Sequence, residues 1–322
     1  MAAILCFKHS IWLSLVLLSV GGCSDSEHLP STFAIATGGP AGMYYPFGGG
    51  MASLWSKELP GVNVKAEVTG GSVTNVIQVA RRESELGIAM ADVISSAYHG
   101  SGRFPEALPL RVLFTIYPNV VHILSLKENN ISGVADLKGR RVSLGAAGSG
   151  TAVAAENVLR GLALELDDVS AVYLNFGETA AALKDGTIDA GFVVGGLGLA
   201  AVTELAVTRN LQLVSLTEDE VEHLRRQYPT YAGFEIPAST YDKVDQPTLA
   251  LGIWSAVVVH EDFPEELAYA MTCQVYKYRD RLLNVAPVAS AMNLDTLHML
   301  PMVPLHTGSA RFAATPTQDC DG

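Results

Sequence analysis

Phe33-Ala34-Ile35-Ala36-Thr37-Gly38-Gly39-Pro40-Ala41-Gly42-Met43-Tyr44-Tyr45-Pro46-Phe47 opens with a short β-prone alternation, breaks at a glycine-rich turn and runs into a helical pattern over residues 47–59. The same device returns twice. Residues 64–69 read as a strand, Gly70-Gly71-Ser72 as the turn, and 73–82 as the helix; then Arg141-Val142-Ser143-Leu144, a turn from Gly145 to Gly150, and a helix over 151–163. Strands that alternate with helices form parallel sheets with crossover helices, and ligands of such sheets sit beyond the carboxyl ends of the strands. Three glycine-rich turns are therefore expected to converge on one small ligand.

Working outward, further strands are expected at 85–90, 111–116, 120–127, 171–174, 190–194, 211–216 and 249–260. Helices are expected at 91–99, 179–184, 218–228, 264–283 and 288–292. Residues 111–127 are nearly continuous, broken only at Pro118-Asn119, and 249–260 is a second long apolar run. A chain that leaves one domain, builds another and returns through a matching strand has two lobes, a double hinge and a cleft between them. The expected class is α/β, a bilobal fold with two parallel or mixed sheet lobes joined by a two-strand hinge. Lobe 1 spans 32–118 plus 255–312, lobe 2 spans 119–254, and 313–322 forms a C-terminal tail.

The composition narrows the function. The 322 residues are 49% apolar and 17% charged, which excludes disorder for the bulk and allows two domains of ordinary size. With 21 basic against 33 acidic residues the net charge is −12, the wrong sign for nucleic-acid binding through counterion release. Cys6, Cys23, Cys273 and Cys320 form no C-x-x-C pair, so neither a zinc cluster, a redox motif nor a disulfide scaffold is expected.

Residues 1–22 read as an address. Lys8 and His9 precede an apolar run over 11–20, too short to cross a ~30 Å hydrocarbon core and of signal-peptide length. Val20-Gly21-Gly22-Cys23 resembles the bacterial lipobox, in which the cysteine carries the lipid, and 23–31 would tether the folded body to the membrane. The expected location is the periplasm, anchored by lipid to a bacterial membrane. There Cys273 and Cys320 could oxidise to each other, although the tail sequence Thr315-Pro316-Thr317-Gln318-Asp319 before Cys320 argues against it.

Four motifs in order carry a family resemblance: Thr37 through Gly49, Gly71-Ser72-Val73-Thr74-Asn75, Gly148-Ser149-Gly150-Thr151, and Pro304-Leu305-His306-Thr307-Gly308-Ser309-Ala310. Together, over about 32–312, they resemble a TAXI-type solute-binding protein, the receptor of one branch of the tripartite ATP-independent periplasmic (TRAP) transporters. The resemblance implies a bilobal periplasmic-binding-protein fold of type II character, no catalysis, and delivery of a small anionic solute, of amino-acid or dicarboxylate/2-oxoacid type, to a sodium-coupled TRAP permease.

The residues support an anion site independently. Free N–H groups and the positive end of a helix dipole hold a carboxylate without any arginine, and Lys and Arg are absent from all three turns. The candidate ligand-binding residues are Gly39, Tyr44, Tyr45, Ser72, Asn75, Asp92, Ser149, Gly150 and Thr151. Ser72 and Ser149 serve equally well as plain helix caps. One of Tyr44 and Tyr45 is expected to wall the pocket, and Asp92 either caps the helix that follows residue 90 or touches the solute. Met90 and Ala91 stand where the family usually has polar residues, and the segment Val194-Gly195-Gly196-Leu197-Gly198 is bare of polar side chains, which weakens an amino-acid assignment and leaves a dicarboxylate or 2-oxoacid, or a less polar acid, open.

Catalytic motifs fail. The turn at 145–151 lacks the Walker lysine and the G-x-G-x-x-G order, and no G-x-S-x-G surrounds Ser72 or Ser149. His122, His223, His260, His298 and His306 lack metal-ligand spacing, so each reads as structural or surface, with His306 locking a turn. No metal and no cofactor are expected. Two other readings share these features: a lipoprotein that presents the same solute to a receptor kinase, and an extracytoplasmic enzyme.

Overall fold

A computed structural model describes residues 32–317 together with Asp319 and Cys320. The signal segment, Cys23 and the tether expected over 1–31 lie outside the described residues.

The first lobe begins β1 (Phe33–Ala36), α1 (Tyr44–Glu58), β2 (Val64–Glu67), α2 (Ser72–Ala80), β3 (Leu86–Met90) and α3 (Ala91–His99). The long strand β4 (Leu110–Leu126) leads into the second lobe, which holds β5 (Arg141–Ser143), α4 (Gly150–Gly161), β6 (Ser170–Val172), α5 (Phe176–Lys184), β7 (Ala190–Gly195), α6 (Ala200–Thr208), β8 (Leu211–Leu213), α7 (Glu218–Gln227) and β9 (Tyr231–Ile236). A second long strand, β10 (Thr248–His260), returns to the first lobe, followed by α8 (Glu265–Lys277), α9 (Arg279–Leu283) and α10 (Thr307–Ala314). The fold is α/β and bilobal. β1 pairs in parallel with β2 and β3, and β5 in parallel with β6 and β7, as crossover helices require. One hydrogen-bonded path, β2-β1-β3-β10-β4-β7-β5-β6, runs through both lobes, with β8 added to β4 and β9 to β10.

The antiparallel pair β4–β10 carries the chain across in both directions. Residues 111–127 were expected as two strands interrupted at Pro118-Asn119, but β4 is one strand. The proline is tolerated because Pro118 lies opposite Trp254, next to a register shift between Trp254 and Ala256 where the ladder is already irregular. Beyond it β4 changes partners, and Val120 to Ser125 pair with β7.

One buried apolar group runs through both lobes, from Val76, Met90 and Ile94 to Val142, Ala155 and Phe192, and each lobe adds a group of its own. In the first, Phe33, Trp55, Phe114 and Met271 are buried together, and the Trp55 indole N–H donates to the Met271 carbonyl at 2.9 Å. In the second, Val120, Leu124, Leu199, Val202 and Tyr241 form a buried group. His122, on β4, is wholly buried there. Its Nδ1 lies 2.9 Å from the Val120 carbonyl and 3.2 Å from that of Val193, so Nδ1 carries the proton. Nε2 then accepts from the Tyr241 hydroxyl at 3.0 Å, which itself accepts from the Gly198 N–H at 3.1 Å. Burial pushes the imidazole pKa down to about 4, so His122 is neutral, a structural histidine in the crossing strand.

The C-terminus corrects one expectation: Cys273 and Cys320 form a disulfide, with Cα atoms 5.5 Å apart. The tail sequence is polar, but α10 packs back on α8, with Phe312 against Tyr269 and Tyr276 and a 2.8 Å hydrogen bond between Thr272 and Ser309. That docking returns the chain to Cys273. His306 caps α10 by accepting from the Gly308 N–H at 3.3 Å. Loop closure predicts stabilisation of up to about 4 kcal/mol for the 47-residue separation, less what the freed tail regains in the native state. Cys320→Ser is accordingly expected to lower stability by about 2 kcal/mol in urea unfolding, and reduction of the wild type should match it. Equal stability of wild type and variant under oxidising conditions would contradict this.

Candidate functional site

The three turns meet. A cavity of about 150 Å³ is lined by residues 38–44 from the first turn, Gly70, Gly71 and Ser72 from the second, and Ala146, Ser149, Gly150 and Thr151 from the third. Met90, Tyr117, Asn119, Asn175, Phe176, Val194 and Gly195 complete it.

The turns approach closely because glycine permits it. A Cβ on Gly150 would stand 2.7 Å from the Ser72 hydroxyl and 2.9 Å from the Met90 methyl, so α2 and α4 abut through hydrogen alone. Gly71 has φ +109°, a left-handed backbone that favours glycine, and faces the Ser149 Cα. The second and third turns are also tied by hydrogen bonds: the Val73 and Thr74 N–H groups donate to the Gly148 carbonyl at 3.1 and 3.2 Å. The lobes are in contact over the cavity.

Those bonds decide which helix terminus is open to a ligand. At α2 the first-turn amides of Val73 and Thr74 are engaged, and Ser72 Oγ accepts from the Met90 N–H at 3.1 Å. At α5 a capping box closes the end, with Asn175 accepting from the Glu178 N–H and the Glu178 carboxylate accepting from the Asn175 N–H. At α1 Pro46 removes one donor. At α4 Ser149 Oγ accepts from the Ala152 N–H at 3.1 Å, leaving its own proton to give, and the Gly150 and Thr151 N–H groups precede the first intrahelical bond. Ser149 thus caps and faces the cavity at once.

Six of the expected site residues line the cavity: Gly39, Tyr44, Ser72, Ser149, Gly150 and Thr151. Three stand elsewhere. Tyr45 is 37% exposed and is not part of the lining. Asn75 is fully buried, and its amide is used up within the first lobe: Nδ2 donates to the carbonyls of Thr37 and Ile88 at 2.6 and 2.7 Å, and Oδ1 accepts from Thr69. It ties β1, β3 and the second turn together.

Asp92 belongs to a different cavity, about 490 Å³, between α3, α4 and α7. It accepts from the Tyr231 hydroxyl at 3.0 Å and from the Val93 N–H at 2.8 Å, and Asn157 donates to the same tyrosine at 2.9 Å. Burial raises the Asp92 carboxyl to about 6, outweighing those hydrogen bonds, which favour the charged form. Nearby, Arg103 pairs with Glu156, so α3 and α4 are fastened by a buried hydrogen-bond chain and an ion pair.

Tyr117, Asn119, Asn175 and Phe176 are lining residues absent from the candidate set. Pro118-Asn119, which interrupts an apolar run, marked where β4 crosses. Asn175 and Phe176 sit at a fourth strand-to-helix junction whose turn lacks the glycine run that flagged the others. Asn119 is buried, its Nδ2 donating to the Ile253 carbonyl at 3.3 Å and, more weakly, to the Tyr44 hydroxyl at 3.4 Å. Among the described residues no group of three or more His, Cys, Asp or Glu could hold a metal ion, and no helix is long and apolar enough to cross a membrane.

A family model described as NMT1-like family matches residues 35–313. The chain belongs to the NMT1-like family. Among solved structures it is similar to MatC from Rhodopseudomonas palustris with bound malate, at 12% identity over 90% of this chain and 97% of that one, with a TM-score of 0.55. It is also similar to PhnD1 from Prochlorococcus marinus MIT 9301 in complex with methylphosphonate, at 12% identity over 81% and 91%, TM-score 0.53. An ancestral arginine-binding protein bound to arginine gives 14% identity over 81% and 98%, TM-score 0.50. At these identities the likeness shows the fold of this NMT1-like chain, the bilobal periplasmic-binding-protein fold.

Proposed function

We propose that this NMT1-like chain is an extracytoplasmic solute receptor that encloses a small anionic solute between its lobes and delivers it to a membrane permease, of TRAP type as the TAXI-like motifs imply. The observation that carries the reading is the cavity where three strand-turn-helix junctions meet around the open N-terminus of α4. The similar structures with bound malate, methylphosphonate and arginine support a receptor role through their common fold. A periplasmic location, a lipid on Cys23 and residues 23–31 as tether belong to the same proposal, as do the lobe boundaries at 118/119 and 254/255. No sequence motif calls for a cofactor or for catalysis.

The hold on the solute is electrostatic and short-ranged. The Gly150 and Thr151 N–H groups, the Ser149 and Thr151 hydroxyls and the dipole of α4 face one anionic group. Gly39, Tyr44 and Ser72 close over it from the first lobe. A ligand shifts the lobes only through its preference for the closed form, which here alone brings both sets of groups together.

The experiment begins with protein purified from its own host, from which mass spectrometry identifies the solute released on denaturation. Calorimetric titration with that solute is expected to show Ser149→Ala and Thr151→Val each weakening binding by about 0.5–3 kcal/mol, the range from an ordinary hydrogen bond to one made with a charged group. Silence of both variants would remove the α4 terminus from the site. Chemical conversion of the solute by the purified protein would replace the receptor reading with an enzyme.

A further inference from the structure

The described residues that line the 150 Å³ cavity include no Asp, Glu, Lys, Arg or His. The Glu178 carboxylate, beside the lining residue Asn175, is held in its capping box by the Asn175 N–H, and charged groups on the neighbouring elements are engaged as well. Asp92 is turned into the second cavity by Tyr231 and Val93. Arg103 is paired with Glu156 there, and Arg141 is held by Asp189 through its backbone N–H and guanidinium at 2.7–3.1 Å. His122 is neutral and satisfied at both ring nitrogens.

The polar capacity of the cavity lies in uncharged donors. Thr151, 4% exposed, lines it with a hydroxyl that makes no hydrogen bond among the described residues, and the Ser149 hydroxyl proton is unused by the α4 cap; the Tyr117 hydroxyl, unpartnered among the described residues, is sealed behind the wall. Together with the Gly150 and Thr151 amides the Ser149 and Thr151 hydroxyls make one anion-holding cluster on α4. The rest of the wall is uncharged: apolar Met43, Tyr44, Met90, Phe176 and Val194 stand with Asn119, Asn175 and Ser72, whose side chains are already engaged by the Ile253 carbonyl, the Glu178 N–H and the Met90 N–H. A cavity of this volume takes a molecule about the size of benzene.

We propose that the solute is a monocarboxylate: one carboxylate on a compact apolar body, with no ammonium and no second acid group. The proposal rests on the receptor reading and narrows it. An amino acid would bring an ammonium to a wall that offers no carboxylate to pair it, and unpaired buried charge is heavily penalised. A dicarboxylate would bring a second anion away from the α4 terminus, where the α2 and α5 termini are already engaged by Gly148 and by the Asn175–Glu178 box and the α1 terminus has lost a donor to Pro46. A single carboxylate at α4 leaves the remaining surface to bury carbon.

Titration calorimetry with two matched pairs tests this on the full chain after unfolding and refolding to remove bound solute. The first pair is 4-methylpentanoate and L-leucine, which differ by the ammonium; the second is pentanoate and glutarate, which differ by the second carboxylate. Each monocarboxylate is expected to bind at least about tenfold more tightly than its partner, and Thr151→Val is expected to weaken pentanoate binding several-fold while leaving the melting temperature near that of the wild type. L-Leucine or glutarate binding as tightly as its partner overturns the proposal, as does pentanoate binding unaffected by Thr151→Val. Failure of all four acids to bind at millimolar concentration also overturns it. The receptor reading is judged separately by whether host-purified protein carries any solute in native mass spectrometry.

Discussion

Gly150→Val is expected to lower affinity for the co-purified solute by about 100-fold, equivalent to about 2.7 kcal/mol. The effect follows from contact between the lobes. A Cβ at this position would already stand 2.7 and 3.1 Å from the Ser72 Oγ and Cβ and 2.9 Å from the Met90 methyl, and two further methyls have no room. The Met90 methyl, the tip of a flexible side chain, can swing aside, but Ser72 Cβ moves only with the α2 backbone, so two further methyls push the lobes apart. Parting breaks the bonds from Val73 and Thr74 to Gly148 and withdraws Ser72 from the α4 terminus. Valine at the first position of a helix is itself tolerated, so stability should fall by only a few tenths of a kcal/mol. Small-angle scattering should find a larger radius of gyration for the variant, one that added solute does not reduce. A variant with the radius and affinity of the wild type would show that the two turns need not touch for binding. Gly71 is the poorer choice for this test, because its positive φ would add backbone strain to the steric effect.

The second large effect is pH-dependent, and two buried groups oppose each other in it. Asp92 has a folded-state pKa raised to about 6 by burial, against about 3.8 for the free group, so the native state binds its proton first. Its contribution to stability is fully present below about pH 4 and is lost as pH rises through 6, amounting to about 3 kcal/mol across the window. His122 has a folded-state pKa lowered to about 4 from 6.5, so its contribution is present above pH 6.5 and lost as pH falls toward 4, again by about 3 kcal/mol. The two terms nearly cancel in the wild type. Asp92→Asn removes the first alone. From pH 7 to pH 4 the variant should therefore lose about 3 kcal/mol relative to the wild type in urea unfolding. The altered bond to Tyr231 adds an offset that does not vary with pH, so the slope is the quantity to read. Parallel profiles for variant and wild type would show that Asp92 titrates normally and is not the desolvated link between α3 and β9. His122→Gln should tilt the profile the other way.

Much of the architecture was written in local patterns. Strand, glycine-rich turn and helix follow one another in the sequence around 33–58, 64–80 and 141–161, and backbone periodicity with a glycine break suffices to read each unit. Lys and Arg are missing from those turns, and this too is visible without coordinates. The two long apolar runs, 111–127 and 249–260, could be recognised as the strands that cross between lobes, because no other stretch was long enough to serve both. The helices at 200–208 and 307–314 and the strand at 231–236 were not recognised: 200–208 is apolar at too many positions to show one face, and in 231–236 and 307–314 glycine and polar positions disperse the apolar residues.

What the sequence determined by itself is therefore the set of local units, their order and the uncharged character of the turns, since each depends on residues a few positions apart. Which groups face the cavity was decided by tertiary structure, because a side chain's direction depends on partners far along the chain. Asn75 and Asp92 stand beside strand ends, as ligand-binding residues do, yet Thr37 and Ile88 claim one and Tyr231 claims the other. Tyr117, in the middle of an apolar strand, joins the cavity wall only because β4 passes behind it. Cys320 meets Cys273 only because α10 docks on α8. The amides of α2 look as free as those of α4 until Gly148, some 75 residues away in the chain, takes them across the cleft. Long-range packing chose among hydrogen-bonding groups that are equivalent in the sequence, since a buried donor or acceptor goes to whichever partner the closed lobes place within reach.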